Sequence, residues 1–142
     1  MPMKIYFAGD HAGFEMKEKL IDFVRSLGHE AEDLGPFEPK AGDDYPDFVI
    51  PLAKKVAGSG QGEIIAVNRI KGARAALFCP CNLELIKASR DHNDSNIFSI
   101  GARFCSLEEA KKGVQVWLET PFSNDERHVR RLAMIEALVP NA

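Results

Sequence analysis

The chain has 142 residues, 45% of them hydrophobic and 27% charged, with a formal net charge of −3. That length fits a single domain, 1–142, with room for a real core, and the composition is ordinary for a soluble globular protein. The slightly acidic balance gives no electrostatic footing for nucleic acid or an anionic membrane surface. No apolar run is long enough to span a bilayer, and the opening MPMKIYFAGD lacks the apolar stretch of a signal peptide, so a cytoplasmic setting is expected. Three cysteines, Cys79, Cys81 and Cys105, cannot all pair within one chain, which also suits a reducing compartment. Cys79-Pro80-Cys81 is too cramped for an ordinary disulfide, and no second Cys pair completes a zinc site, so no metal is expected.

Lys4-Ile5-Tyr6-Phe7-Ala8 is rich in strand formers and runs into Gly9-Asp10-His11-Ala12-Gly13. Met16, Leu20, Phe23, Val24 and Leu27 then recur at helical spacing, and Gly28 stands where a left-handed cap belongs. A strand, a polar turn and a helix open a parallel α/β unit, in which ligands gather beyond the carboxyl ends of strands. Asp10 and His11 fall there; the plainer reading makes Asp10 a helix cap and His11 a solvated turn residue. Residues 30–34 are a candidate second strand, 36–44 a turn-rich loop, and 45–56 a helix that Pro51 must enter in its first turn or kink. That helix is expected to end near Ala57 and lead straight into a glycine loop. A doubly wound unit would place a buried strand there, so roughly ten residues, about one strand and its lead-in turn, are expected to be missing.

The loop is Gly58-Ser59-Gly60-Gln61-Gly62-Glu63, followed by a helix-like apolar run over 64–70 that Gly72 closes. Glycines at alternate positions let successive N–H groups converge on one anionic oxygen, and a helix N-terminus favours the same charge. Glu63 in the first turn sets a carboxylate beside that cradle, the pairing that proton abstraction next to a carbonyl requires. A glycine-rich turn with a capping Glu is the plainer alternative.

Beyond it, 74–78 is expected as a buried strand, 82–90 as a helix with Leu83 and Ile86 inward, and 97–100 as another strand. Between these last two lies His92-Asn93-Asp94, a loop triplet in which a histidine can act as acid and base near neutral pH. Its plainer reading is a helix C-cap. Ser106 and Glu109 form a capping box for a helix through Trp117-Leu118, which Thr120-Pro121 stops. A final helix carries Arg127 and Arg131 on one face, with Leu132, Ile135 and Leu138 behind them. Two guanidinium groups on one face repel unless an anion such as phosphate joins them, and Arg103, just past a strand, could share it. A solvated basic face balanced by Asp125 and Glu126 is the alternative. With no Ser/His/Asp triad spacing, metal cluster or lysine after the glycine loop, the set describes metal-free isomerisation of a phosphorylated sugar.

Gly9 to Gly13, Asp44-Tyr45-Pro46, the 58–63 loop, Ala66-Val67-Asn68, the 72–77 strand, 91–96 and Glu126-Arg127-His128 with Arg131 stand in the order found in a known family. The chain resembles the ribose-5-phosphate isomerase B family, which includes the galactose-6-phosphate isomerase subunits. The resemblance implies a Rossmann-like three-layer sandwich with a parallel sheet, a C-terminal helix packed on a partner subunit, and no metal or cofactor. It also implies a homodimer or dimer of dimers with active sites shared between subunits. By that resemblance Asp10 and His92 open the furanose ring, and His11 contacts phosphate or ring oxygens. Asn93 and the amides of Ser59, Gly60, Gln61 and Gly62 hold the enediolate oxygen, and Arg103, Arg127 and Arg131 bind the phosphate. Glu63 matches the branch that uses a glutamate base; no cysteine stands where the other branch has its base. The reaction implied is ribose 5-phosphate to ribulose 5-phosphate, with a galactose or allose 6-phosphate as alternative substrate. A protein that binds sugar phosphate without turnover is the alternative from another class, motivated by the missing strand.

Overall fold

The computed structural model describes residues 1–35, 56–57, 60–80 and 82–140. Strand β1 (Lys4–Phe7) leads into helix α1 (Phe14–Ser26), which ends with Gly28 at φ +87°, a cap that needs no side chain. Strand β2 (Glu30–Asp33) returns parallel to β1. Then follow β3 (Val56–Ala57), α2 (Gln61–Val67), β4 (Ala75–Leu77), α3 (Leu83–Asp91), β5 (Ile97–Gly101), α4 (Leu107–Glu119) and α5 (Glu126–Glu136). In the second hydrogen-bonded sheet β5 lies between β3 and β4, parallel to both.

Two expectations are corrected here. Val56 belongs to a strand, because Val56 and Ala57 pair with Ile100 and Gly101; a helix does not run through them. Among the described residues the strand ahead of the glycine loop comprises Val56 and Ala57, and those two pair with β5. The remainder of the expected helix, 45–55, lies outside the described residues, as do the 36–44 loop, Gly58, Ser59 and Cys81. Nor is the strand over 74–78 buried throughout: among the described residues β4 is an edge strand, and Leu77 is exposed. Its free edge is blunted by Asn68, whose Oδ1 accepts the Ala75 N–H at 2.8 Å in place of another strand.

Strand β5 is buried along its whole length. Alternation sends Phe98 and Ile100 into the main core with Phe7, Leu20, Ile21, Val24, Ile86, Ala110 and Val114. Ile97 turns the other way, into a small cluster with Val67 of α2, Ala73 and Ala75. Helices on both faces of a parallel sheet give three layers. Lys17, on the buried face of α1, is fully enclosed, its ammonium 2.8 and 2.9 Å from the two carboxylate oxygens of Asp33. The last helix departs from expectation: Ile135 and Leu138 are exposed and Leu132 is half-buried, so much of its apolar face is unburied within the chain.

Candidate active site

Gly60 starts α2 in a left-handed conformation, φ +76°. A Cβ there would lie 2.9 Å from Leu77 Cδ1 and Ser99 Oγ and 3.3 Å from the Gly101 nitrogen, so only glycine fits. The Ser99 hydroxyl donates to the Gly60 carbonyl at 2.8 Å, which pins this turn to the carboxyl end of β5. Glu63 follows in the first turn of α2, where the helix dipole favours its charge, and only 6% of its surface is exposed. Gly62 is half-buried and Gln61 exposed. Ser59 lies outside the described residues.

Asp10 and His11 follow β1. Asp10 is half-buried, and its Oδ1 accepts the Gly13 N–H at 2.9 Å; His11 is exposed. The buried Lys17–Asp33 pair supports the same turn. Asp33 Oδ1 accepts the Gly35 N–H at 2.9 Å, and the Gly35 carbonyl accepts the Gly9 N–H at 3.1 Å, one residue before Asp10. Arg103 is exposed just beyond β5. Beside Gln61 lies a cleft of about 180 Å³ with Leu77, Phe78, Pro80 and Phe104 on its walls. Cys105 also lines it; burial pushes that thiol's pKa up, and the neighbouring Glu109 charge adds to the effect. Among the described residues no three His, Cys, Asp or Glu side chains are grouped as a metal would require, and no helix is long and apolar enough to cross a membrane.

The remaining candidates sit at the opposite edge of the sheet. His92 caps α3 and Asn93 follows it, both exposed and both ahead of β5. His92 Nε2 lies 3.1 Å from Asp91 Oδ2. The backbone N–H and hydroxyl of Ser123, on the approach to α5, both donate to the Asp91 carbonyl, at 3.1 and 2.7 Å. The neighbouring α5 carries Arg127 and Arg131, both exposed, and Arg127 Nε is 3.4 Å from Asp125 Oδ2. Arg131 borders a shallow apolar groove with Met134, Ile135 and Leu138. Gly60 and Glu63 thus stand past the carboxyl ends of β3 and β5, while His92 and Asn93 stand before the amino end of β5. A five-residue strand of roughly 13 Å lies between them. The expected Arg103, Arg127 and Arg131 cluster is divided in the same way and does not form within one chain.

His128 was read from the sequence only as part of the Glu126-Arg127-His128 motif and was given no role in the site. It is buried, and its ring stacks on that of His92. The signal lay in its spacing, since His128 and Leu132 are one turn apart on the inner face of α5. Lys17 likewise stands one helical turn before Ile21 and two before Val24–Arg25, but its charge disguised its position. Nothing local announces Asp33 as its partner.

A parallel α/β sandwich of Rossmann-like type, with carboxylate and imidazole groups collected at its strand ends, is the class this chain falls in. The chain belongs to the ribose/galactose isomerase family, whose model matches residues 5–135. It is 37% identical over 144 residues to ribose-5-phosphate isomerase B of Mycolicibacterium paratuberculosis, across 94% of this chain and 89% of that protein. That alignment is longer than the whole chain, so the relative carries residues this chain lacks. Type B ribose 5-phosphate isomerase of Trypanosoma cruzi superposes with a TM-score of 0.90 at 34% identity, covering 97% of each chain. Ribose-5-phosphate isomerase B of Mycoplasma genitalium with bound ribulose-5-phosphate gives a TM-score of 0.89 at 30% identity, covering 96% of each.

Proposed function

We propose that this chain is an aldose–ketose isomerase that interconverts ribose 5-phosphate and ribulose 5-phosphate through an enediolate. Its family, and the ribulose-5-phosphate bound in the Mycoplasma genitalium relative, support the reaction class and a phosphorylated sugar as substrate. Asp10 and His92 open the furanose ring and His11 contacts the substrate's polar oxygens. Glu63 then takes the proton from C2 and returns it to C1, while the O2 proton passes to O1. The amides around Gly60–Gly62, with Ser59, and the Asn93 side chain hold the oxygen on which charge builds. Arg103, Arg127 and Arg131 bind the phosphate.

The observation that carries this reading is the division of the candidates between the two ends of β5. A proton transfer needs its groups within about 3 Å of the reacting atoms, and one chain keeps the base and the imidazole on opposite sheet edges. A second copy that presents its His92–Asn93 loop and α5 to the Glu63 edge completes the site. We therefore assign a homodimer or dimer of dimers, the exposed Met134, Ile135 and Leu138 supplying apolar surface for the contact. Binding without turnover is the weaker reading, because Val56 and Ala57 retain the strand pairing on which the glycine loop depends. A cytoplasmic setting and a single domain over 1–142 complete the proposal. The test is conversion of ribose 5-phosphate in deuterium oxide. Ribulose 5-phosphate with solvent deuterium at C1 is expected, and tight binding with no product would overturn the reading.

A further inference from the structure

We propose that Asp94 is a positioning residue, held by Arg74 and Arg90 so that it sets the pose of His92 and Asn93. The inference rests on the isomerase reading, in which those two side chains act on the sugar. Asp94 adopts φ +43°, a left-handed conformation that side chains disfavour. A glycine would end α3 there without steric penalty, so the aspartate must contribute something glycine cannot. What it contributes is a charged anchor. Arg74 Nη2 meets Asp94 Oδ2 at 2.8 Å and Arg74 Nε donates to the Asp94 carbonyl at 2.8 Å, a two-pronged grip on side chain and backbone together. Arg90 Nη1 reaches the other carboxylate oxygen at 3.1 Å. All three side chains are mostly enclosed, so solvent screens these contacts only in part.

Both sides of the turn are fastened in the same way. Ahead of it, the Asp91 carbonyl takes two hydrogen bonds from Ser123. Behind it, Trp117 Nε1 donates to Ser95 Oγ at 2.9 Å. Between these anchors lie His92 and Asn93, the two exposed members of the turn. Arg74 also faces Glu136 at 3.8 Å, and Glu136 accepts the Gly72 N–H at 3.1 Å, so the helix that carries Arg127 and Arg131 joins the same network. A rigid turn referenced to α5 presents imidazole, amide and guanidinium groups as one unit to a site on another copy, where preorganisation governs rate.

Asp94→Asn keeps the size and the tolerance of positive φ but removes the charge that both arginines share. We expect kcat to fall by about 10²-fold, with KM within about twofold because the phosphate clamp remains. In an Asn93→Ala, His92→Ala background the same change should have little further effect, since the groups it positions are gone. An equal fold-loss in both backgrounds, or an unchanged kcat, overturns the proposal. Amide hydrogen exchange over residues 92–95 reads the same claim without turnover: Asp94→Asn should speed it while α1 and α4 stay protected. Unchanged exchange there overturns the positioning role even if the wild-type chain isomerises no sugar phosphate.

Discussion

The imidazole of His128 lies flat against that of His92, ring centres 4.5 Å apart and planes 17° from parallel. His128 is buried on α5 while His92 is half-exposed at the end of α3, so the inner ring forms the wall against which the outer one rests. One direction of motion is thereby closed to a side chain assigned to ring opening. Replacing His128 with leucine keeps the apolar contact but loses the flat wall. We expect the chain to stay folded and kcat to fall by about tenfold, as small misplacements of a reacting group do. Steady-state kinetics beside a thermal melt separates this from simple destabilisation; a normal kcat would reduce the stack to packing.

Glu63→Gln should be the most damaging conservative change. It keeps the size and most of the hydrogen-bonding capacity in the first turn of α2 but removes the carboxylate proposed as the base. A drop in kcat of about 10²–10⁴, the usual share of a general base, is expected with folding and phosphate binding nearly intact. Solvent deuterium should enter the product in the wild type and scarcely in the variant. Wild-type turnover by Glu63→Gln would make Glu63 a helix cap and nothing more.

If each site draws on both copies, two inactive variants should rescue one another. Glu63→Gln and His92→Asn place their lesions on opposite edges of the sheet. A mixed dimer then holds one site with both lesions and one with neither. Unfolding and refolding the two together should restore about a quarter of the wild-type activity, as random pairing dictates. No recovery, with dimers confirmed by sedimentation, would place both residues in one chain's site.

Gly113 gives a stability test in which two effects of opposite sign compete. Alanine in place of a mid-helix glycine normally gains about 1 kcal/mol. Here a Cβ would come within 2.5 Å of Phe78 Cε2, and Phe78 is itself buried and held edge-on against Phe98. Overpacking of this kind costs about 1–3 kcal/mol, so Gly113→Ala should lower the unfolding midpoint. A midpoint above the wild type would show that Phe78 can give way.

What the sequence determined by itself is what a few neighbouring residues decide. The Ser106–Glu109 box closes with hydrogen bonds of 2.7 and 3.2 Å, where spacing placed it. Gly28 takes the left-handed conformation its position implies, and β1, α1, β2, α3, β5 and α4 fall close to their expected bounds, whereas α2 covers Gln61–Val67 rather than 64–70 and ends at Asn68, ahead of Gly72. The candidate residues were legible for the same reason, since a polar triplet between a helix and a strand marks a loop whatever the fold. Tertiary structure decided the rest. Val56 is a strand residue because Ile100 offers it a ladder, and Leu77 is exposed because β4 lies at an edge; neither partner is near in sequence. Lys17 can be buried because Asp33, sixteen residues away, meets its charge. The division of the candidate residues also belongs to the tertiary structure. His92 precedes β5 and the Gly60 turn packs on its far end, so the order of strands in the sheet, which no local pattern encodes, sets Glu63 and His92 a strand's length apart.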